Sequence, residues 1–461
     1  MYDYDCAVLG GGPGGYVCAI RLGQLGKKTV LIEKGELGGE CTNEGCIPSK
    51  HLISYASKLW HLRRMVDSGL ASGNLTPNME GHARKSREVI ARLRQGIAFL
   101  LRSYGVKVLH GVADIPEPGV VEVVNGGRAR YRVESIVVAT GTEPASLPSL
   151  PIDGKRVIGY SKALFLESLP ASMLVVGGGA VGLELGTAYA KLGVKVSVVE
   201  IMDQLLPGFD RDASRVLKRS LERMGVEIHL GTTVSAHRYV GDSLEVTLSN
   251  GARYQVDYIL SAVGKRPTAW CKRLSEIGVE HDPKGYIRTD SQMRTSVEGI
   301  YAVGDVTGPP FLAHKASRQG IVAAESIAGL EARFDNKVIP YGVFTDPEVA
   351  SIGMGEDEAK AMGGDIGVAR FPLSSLGRAI AEGETEGFAK IIFERGSGEV
   401  RGLVVVGPHA TEIVAEAALA IEAGVSLEDL ARTIHIHPTY SESILEAAHI
   451  AVGAGIHHVV R

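Results

Sequence analysis

Two cysteines, five positions apart, carry the clearest chemical signal in this chain. Cys41 and Cys46 lie within GGECTNEGCIPSK, residues 38–50, just after a glycine-rich turn and where a helix is expected to begin. A regular helix would hold their Cα atoms about 8–9 Å apart, whereas a disulfide tolerates at most about 7 Å. We therefore expect Cys41 in an irregular first turn, with Gly45 easing the bend. The pattern indicates a redox-active disulfide beside a flavin, with the helix N-terminus favouring a thiolate at Cys46.

Two other kinds of site could use a cysteine pair. A structural zinc site needs two more ligands at suitable spacing, and the remaining cysteines, Cys6, Cys18 and Cys271, are scattered along the chain. The pair could also form an inert structural disulfide. The residues around the pair favour redox chemistry over both alternatives, and no metal site is expected.

The elements that must position this pair belong to a nucleotide-binding unit that occurs twice. Each copy has a short apolar strand, a G-x-G-x-x-G turn, a helix and a second strand that ends at an acidic residue. The glycines allow pyrophosphate to approach a helix N-terminus, and the carboxylate can bind a ribose diol. The first glycine and the acid are 23 positions apart in both copies, which are formed by Gly10, Gly12, Gly15 and Glu33 and by Gly177, Gly179, Gly182 and Glu200.

Two such units predict two bound dinucleotides. The cysteine pair follows the first unit, so we expect that unit to bind FAD and the second to bind the nicotinamide nucleotide. After Glu200 the chain continues with Ile201, Met202 and Asp203, without the Arg or Lys that a 2′-phosphate prefers. NAD is therefore favoured over NADP.

The remaining patterns predict the order of the domains. Helices are expected at about 51–65 and 82–104 with a loop at 70–78 between them, short strands lead to 137–139, and a Pro-rich linker follows at 144–151. After residues 261–265 the chain is expected to return to the first unit. Late helices at about 411–423 and 441–452 suit a buried face against another domain or another subunit. We assign 1–147 to an FAD-binding domain, 148–270 to an NAD-binding domain, 271–340 to a central domain that completes the FAD site, and 341–461 to a C-terminal α+β domain.

The composition excludes several classes of protein. A chain of 461 residues is too long for one hydrophobic core, and 45% hydrophobic residues with 58 glycines are typical of α/β proteins. The net charge of −4 offers no basic surface for nucleic acid, and no apolar run approaches the ~20 residues of a membrane span. The chain starts directly with a strand, so no signal peptide is expected, and its cysteine usage fits a reducing cytoplasm.

Four motifs, found in order, resemble those of the flavoprotein disulfide oxidoreductases, the class I pyridine nucleotide-disulfide oxidoreductase family. The resemblance covers essentially the whole chain and is strongest to the members that oxidise dihydrolipoamide. CTNEGCIPSK is similar to the family's redox-disulfide signature, and GIYAVGD to its second flavin motif. LAHK is similar to its flavin-edge segment, and TIHIHPTYSE to its C-terminal catalytic motif.

The resemblance implies an α/β fold with two Rossmann-like domains and a C-terminal α+β dimerisation domain. It implies a homodimer in which His437 reaches the disulfide of the other subunit. It also implies that Lys50, close to the flavin N5, pairs with Glu184, although the same pair on a solvated surface would be worth little. The further cofactor contacts that we expect are Lys34, Lys50, Gly111, Thr140, Gly141, Asp305 and Ala313 for FAD, and Val234 and Gly264 for NAD.

His437 and Glu442 suit a catalytic base and the carboxylate that orients it and stabilises its protonated form. The resemblance implies a cis bond before Pro438, which would fix the direction of the ring. A satisfied core histidine is the alternative for His437, and the cysteine pair favours the catalytic role. We expect His435 to pack or hydrogen bond, and His457 and His458 to be ordinary tail residues.

The reaction that the resemblance implies is the oxidation of dihydrolipoamide, free or on a lipoylated carrier protein, with NAD⁺. Cys41 would react with the substrate and Cys46 with the flavin. Glu40, Thr42 and Glu44 depart from the family, whose members commonly have a small hydroxyl residue before the first cysteine and apolar residues between the two. A carboxylate that points toward Cys41 would raise its pKa and repel acidic substrates, but we expect both glutamates in solvated loop positions.

The alternatives are reductases that use NAD(P)H to reduce another disulfide or metal ions. A glutathione-type reductase needs arginines near the end of the second strand, and none stands beside Glu200. A mercuric reductase needs a C-terminal cysteine pair, and the tail GIHHVVR has none. A flavin-bearing redox sensor with poor turnover is the non-enzymatic alternative. The complete set of base, orienting carboxylate and two nucleotide sites favours an enzyme.

Overall fold

The computed structural model describes residues 1–363 and 365–459. Its strands form five sheets, and the two glycine-rich turns lie at equivalent places in two of them. In the first sheet, parallel strands carry the first turn, and an antiparallel hairpin extends from the longest strand. Along the sheet the strands run Lys107–His110, Thr29–Glu33, Tyr4–Leu9, Arg128–Val138, Val120–Val124 and Val112–Glu117, and Ile300–Ala302 also pairs with Arg128–Val138. The expected return of the chain to the first unit is thus confirmed.

The second sheet repeats this design. It is parallel throughout and carries the second glycine-rich turn, while a separate antiparallel sheet packs beside it. Its strands run in the order Glu227–His229, Lys195–Val199, Ser172–Val176, Tyr258–Ser261 and Val157–Ile158, and the antiparallel sheet contains Val234–Val240, Ser243–Leu248 and Arg253–Val256.

The first glycine of each turn is required by its backbone and by its surroundings. Gly10 and Gly177 have φ angles of +106° and +111°, in the region that favours glycine. A Cβ atom at Gly10 would lie 2.3 Å from the carbonyl oxygen of Ala139, and one at Gly177 would lie 2.3 Å from that of Ala262. The two turns therefore have the same geometry, which confirms the repeat inferred from spacing.

A two-stranded antiparallel ribbon joins the two units. It consists of Thr142–Pro144 and Lys265–Pro267, which we call the crossover ribbon. The Pro-rich linker therefore begins as a paired strand, since Lys265 opposes Pro144 across the ribbon. This pairing places Lys265 between the two units.

The C-terminal sheet is antiparallel and buried on both faces. Phe371, Ile391 and Leu403 pack with the helices of the same region, whereas Phe388 and Ile392 pack against residues of the second unit. Its strands run in the order Tyr341–Val343, Val349–Gly353, Val400–Val406, Phe388–Glu394 and Ile366–Pro372.

The helices cover the sheets and connect them. Two of them differ in length from the sequence-based prediction. The helix expected at 51–65 spans Cys46–Asp67 and is called the redox helix below. The helix expected at 82–104 begins at Met79, because the Asn78 side chain accepts a hydrogen bond from the Gly81 backbone N–H at 2.8 Å and caps it. The α-helices are Pro13–Gln24, Gly39–Asn43, Cys46–Asp67, Met79–Ser103, Tyr160–Ala163, Ala180–Leu192, Arg211–Arg223, Ala269–Arg273, Ala313–Ile327, Glu356–Met362, Gly377–Glu382, Ala410–Ala423, Leu427–Arg432 and Glu442–Ala451, with 3₁₀ turns at Leu274–Ile277, Gly304–Thr307 and Leu373–Ser375.

Within residues 1–363 and 365–459, no helix combines the length and the apolar character that crossing a membrane requires. Over the same residues, no group of three or more His, Cys, Asp or Glu side chains is arranged to hold a metal ion.

A buried histidine stack lies beneath the redox helix. His82 is 3% exposed, and its ring lies 4.8 Å from that of His51 and 5.1 Å from that of Tyr55, measured between centroids. Among the described residues, neither ring nitrogen of His82 has a hydrogen-bond partner. Burial, together with the neighbouring His51, lowers the pKa of His82 to about 4. The native state therefore holds this ring neutral.

The histidine stack makes the protein sensitive to acid. Between its lowered folded pKa and its ordinary value, His82 binds a proton in the unfolded state only, so stability falls as the pH drops below about 6.5. We expect this group alone to remove about 2 kcal/mol between pH 7 and pH 5. His82→Leu should abolish this part of the acid-induced loss of stability. Urea unfolding at pH 7 and at pH 5 measures the free energy of unfolding of both proteins.

The control for this prediction is His61→Leu, which removes an exposed histidine from the redox helix that packs against His82. This variant should lose as much stability on acidification as the unmodified protein. An equal acid-induced loss in the His82→Leu variant would contradict the assignment.

Candidate active site

The redox cysteines lie on either side of a break between two helices. Cys41 belongs to the short helix Gly39–Asn43, and Cys46 is the first residue of the redox helix. Between them Gly45 adopts φ −134° and ψ −106°, which interrupts the helix. Both cysteines are free thiols, and their side chains hydrogen bond to each other. The irregular turn expected from the spacing is thus confirmed.

Asn43 holds this loop in shape. Its side-chain amide donates to the carbonyl oxygens of Gly39 at 2.7 Å and Leu37 at 3.1 Å. Its own oxygen accepts a hydrogen bond from the Arg94 guanidinium at 2.5 Å. The residues that precede the redox helix, 38–45, are called the redox loop below.

The electrostatics assign different states to the two thiols. The hydrogen bond from Cys41 and the positive charge of Lys50 lower the pKa of Cys46 to about 7, against the opposing effect of burial. The same hydrogen bond and burial raise the pKa of Cys41 far above its ordinary value. The helix N-terminus adds to the stabilisation of an anion at Cys46. Of the two thiols, Cys46 therefore ionises first, and Cys41 stays the thiol that donates to it.

Lys50 forms the ion pair that was expected. Its Nζ atom lies 2.8 Å from Oε2 of Glu184, a residue whose side chain is only 8% exposed. Oε1 of Glu184 accepts the backbone N–H of Phe344 at 3.0 Å, and Lys50 lies 4.1 Å from the centre of the Phe344 ring. The pair therefore joins the redox helix, the second unit and the C-terminal sheet at one point.

The first glycine turn leaves room and hydrogen-bonding groups for a dinucleotide. Glu33 accepts the backbone N–H groups of Gly11 at 2.6 Å and Gly35 at 2.7 Å, which leaves further acceptor sites on its carboxylate. The buried hydroxyl of Thr140 has no partner among the described residues, and a Cβ atom at Gly141 would meet open space. These features fit FAD.

The other residues proposed for FAD surround this turn. Gly12 is the N-cap of the helix Pro13–Gln24, Gly111 donates its backbone N–H to the Glu33 carbonyl at 2.9 Å, and Ala313 begins its helix. Lys34 is exposed. Gly15 serves close packing, because a Cβ atom there would lie 1.9 Å from the carbonyl oxygen of Gly10.

The second glycine turn has the same arrangement. Glu200 accepts the backbone N–H groups of Gly178 at 2.6 Å and Met202 at 2.8 Å. A Cβ atom at Gly179, at the start of its helix, or at Gly264 would meet open space, whereas one at Gly182 would clash with Gly177. These features fit a second dinucleotide. Val234 lies apart, because its side chain packs into the apolar core of this unit.

The expected base and its carboxylate are in contact. Nδ1 of His437 lies 2.8 Å from Oε1 of Glu442, whose other oxygen accepts the backbone N–H of Thr439 at 2.7 Å. The peptide bond between His437 and Pro438 is cis, as expected. The His437 side chain is 77% exposed, and its Nε2 atom has no hydrogen-bond partner among the described residues. A satisfied core histidine is therefore excluded.

His435 also contacts a glutamate, but its ring is buried and both of its nitrogens are engaged. Its side chain is 6% exposed, and its two ring nitrogens contact Glu416 and the carbonyl oxygen of Thr433, each at 2.9 Å. The hydrogen bond to Glu416 raises the pKa of His435. It is a structural residue, as expected.

Two expectations about single residues were wrong. Glu40 is not a solvated loop residue, because Lys265 of the crossover ribbon binds its carboxylate at 2.8 Å. His457 is not an ordinary tail residue, since its Nδ1 atom contacts Oε1 of the buried Glu446 at 2.8 Å. Glu44 is exposed, as expected. Sequence spacing gave no signal for either contact.

Lys265 connects Glu40 to the second flavin motif. Its Nζ atom also lies 3.1 Å from Oδ2 of Asp305, which accepts a further hydrogen bond from Thr142 at 3.2 Å. Asp305, proposed for FAD, is thus held by two residues of the crossover ribbon. The only sequence signal for Lys265 was its place directly after Gly264.

Comparisons with known proteins agree with this geometry. The pyridine nucleotide-disulphide oxidoreductase family matches residues 4–320, and the dimerisation domain of the same name matches residues 339–448. The chain is 42% identical to dihydrolipoyl dehydrogenase of Thermus scotoductus, with 99% of both chains covered. It is 40% identical to that of Geobacillus stearothermophilus, over 100% of this chain and 98% of the relative.

Solved structures show the same fold. LpdA from Mycobacterium tuberculosis is 30% identical with a TM-score of 0.89, covering 96% of this chain and 99% of that one. A Cu(II) complex of the HOCl-induced flavoprotein disulfide reductase RclA from Escherichia coli is 26% identical with a TM-score of 0.88, covering 98% of this chain and 100% of that one.

Proposed function

The chain belongs to the pyridine nucleotide-disulphide oxidoreductase family, and we propose that it acts as a dihydrolipoyl dehydrogenase. It is an oxidoreductase whose cofactors are FAD and NAD. The observation that carries the proposal is the pair of Cys41 and Cys46 across the helix break, beside the ion pair of Lys50 and Glu184. The net reaction is dihydrolipoamide + NAD⁺ → lipoamide + NADH + H⁺.

FAD, when bound, supplies a two-electron carrier between the cysteine pair and NAD⁺. Nε2 of the partner's His437 removes a proton from one substrate thiol, and the thiolate attacks the Cys41 sulfur of the disulfide. The bond between Cys41 and Cys46 breaks, and its electron pair remains on Cys46. The second substrate thiol displaces Cys41, which takes up one proton, while His437 releases the other.

The residues around the pair stabilise the charges that appear in this exchange. Glu184 pairs with Lys50 and fixes the position of its ammonium group near Cys46. Glu442 orients the His437 ring and stabilises its protonated form. These residues position and tune the thiols, whereas the cofactors carry the electrons.

A homodimer is part of the proposal. The match to a dimerisation domain and the exposed apolar side chains beside His437 support it: Ile434 is 96% exposed and Ile436 is 80% exposed. Across the described residues, neither cysteine hydrogen bonds to His437 within the chain. A second subunit would cover the isoleucines and bring its own His437 to the pair.

The domain limits and the location remain parts of the same proposal. Residues 1–147 and 271–340 would bind FAD, 148–270 would bind NAD, and 341–461 would form the subunit interface. A reducing cytoplasm suits the cysteine usage, and a lipoylated carrier protein is the expected partner.

NAD remains the favoured nucleotide over NADP. Ile201 and Met202, after Glu200, are exposed and carry no positive charge. Arg211 lies nearby, but Asp203 holds its guanidinium at 3.1 Å and Asp357 lies at 3.6 Å. A 2′-phosphate would have to displace these carboxylates.

One assay tests the function. The FAD-loaded protein is given dihydrolipoamide with NAD⁺ or NADP⁺, and, in the reverse direction, glutathione disulfide with NADH or NADPH. We expect rapid turnover of dihydrolipoamide with NAD⁺ and little with NADP⁺ or glutathione disulfide. Robust glutathione disulfide reduction without dihydrolipoamide turnover would overturn the proposal.

A further inference from the structure

One carboxylate in the redox loop occupies a position that the family usually gives to a small hydroxyl residue. Glu40 directly precedes Cys41, and its side chain is about one-third exposed, at 32%. Instead of extending into solvent, it binds Lys265 at 2.8 Å. It also lies near Tyr160, whose pKa is raised by burial and by this carboxylate. Three segments that are distant in sequence therefore meet at this side chain.

Lys265 is shared between two carboxylates. Its Nζ atom lies 2.8 Å from Glu40 and 3.1 Å from Asp305, and its side chain is only 17% exposed. One lysine with two carboxylates leaves the cluster with one negative charge. Partly buried charges of this kind are screened much less by salt than surface pairs.

We propose that Glu40 is a positioning residue that, through Lys265, ties the redox loop to Asp305 of the second flavin motif and fixes a negative charge beside the cysteine pair. This deepens the proposed function, because it rests on contact between Cys46 and bound FAD. The charge sets where Cys46 ionises. Within the chain, the charged and titratable groups that act on Cys46 are Cys41, Lys50, Glu40 and Glu184, and of these Glu40 and Glu184 oppose the thiolate. The proposed dimer adds the partner subunit's His437, which is the same in all variants compared.

The sign of the effect follows from this set. Removal of the Glu40 charge leaves Lys265 less compensated and relieves repulsion of the thiolate, so the pKa of Cys46 should fall. Removal of the Lys265 charge leaves two carboxylates without their cation, so the pKa of Cys46 should rise. Loss of loop structure alone would not move the two variants in opposite directions.

The test uses the long-wavelength absorption band that a thiolate gives beside oxidised FAD. It is titrated with pH in the two-electron-reduced holoenzyme of the unmodified protein and of the Glu40→Gln, Glu44→Gln and Lys265→Met variants. Glu44→Gln is the matched control, since it removes the same charge from an exposed residue of the same loop. We expect Glu40→Gln to raise the ionisation constant of Cys46 about three- to tenfold, Lys265→Met to lower it, and Glu44→Gln to change it less than about twofold.

The outcomes separate the two proposals. An unchanged midpoint in Glu40→Gln, an equal shift in Glu44→Gln, or a shift of Lys265→Met in the same direction as Glu40→Gln would overturn the role of Glu40 and leave the proposed function intact. A band that is absent from the unmodified enzyme would overturn both, because no thiolate would then lie beside the flavin.

Discussion

Cys46→Ser should abolish both turnover and the long-wavelength band that appears on partial reduction. The redox helix begins at Cys46, whose pKa of about 7 makes it the thiolate of the pair. A serine hydroxyl neither forms the disulfide nor ionises at neutral pH, so the electron pair has no path from the substrate. We expect the rate of dihydrolipoamide oxidation to fall by about 10³-fold or more.

Cys41→Ser is the matched control for this prediction. It also removes the disulfide and turnover, but it leaves Cys46 without a covalent partner. The long-wavelength band should therefore appear in the Cys41→Ser enzyme before any reductant is added. Absorption spectra of the two purified holoenzymes decide the matter. A long-wavelength band in the Cys46→Ser enzyme would contradict the prediction and assign the flavin contact to Cys41.

The sequence predicted the parts of the site that depend on spacing along the chain. The break at Gly45 follows from two thiols that must meet across a helix start. The two glycine turns follow from repeated spacing, and they place Glu33 and Glu200 in equivalent positions. The contact between His437 and Glu442 spans only five residues.

Contacts between distant segments were predicted only where the family resemblance supplied them. The pair of Lys50 and Glu184 is 134 residues apart and was expected on that ground alone. Glu40 and Lys265 are 225 residues apart. The family resemblance did not predict this ion pair, because family members commonly have a small hydroxyl residue at the position of Glu40. The position of Lys265 depends on the crossover ribbon, which forms only when Thr142–Pro144 pairs with Lys265–Pro267. Local propensity cannot specify such a meeting.

Buried groups without partners were equally invisible in the sequence. His82 lies in an amphipathic helix whose pattern gives no sign that both ring nitrogens lack a partner in the part of the chain that the structure describes. The orphaned Thr140 hydroxyl follows a strand end that many sequences share. Both depend on what packs above them, which is a tertiary property.

His437→Gln should lower kcat by about 10²–10⁴-fold, the usual contribution of a general base. Glutamine fills a similar volume and can still hydrogen bond to Glu442, but it cannot accept the proton of a substrate thiol. The KM for dihydrolipoamide should change much less than kcat, because the base acts in the transition state. Steady-state kinetics of the purified dimer measure both. His435→Gln is the control, and it should keep most of the activity.

Mixed dimers test whether this base acts on the partner's cysteines. When Cys41→Ser and His437→Gln chains are coexpressed with different tags, the heterodimer contains one site with both lesions and one site with neither, provided that each site combines the cysteines of one subunit with His437 of the other. The heterodimer should then recover about half the activity of the unmodified dimer, whereas each variant homodimer stays inactive. If the base served its own subunit, both sites of the heterodimer would carry one lesion and it would be as inactive as the homodimers. The exposure of His437 and of two isoleucines that precede it, Ile434 and Ile436, favours recovery.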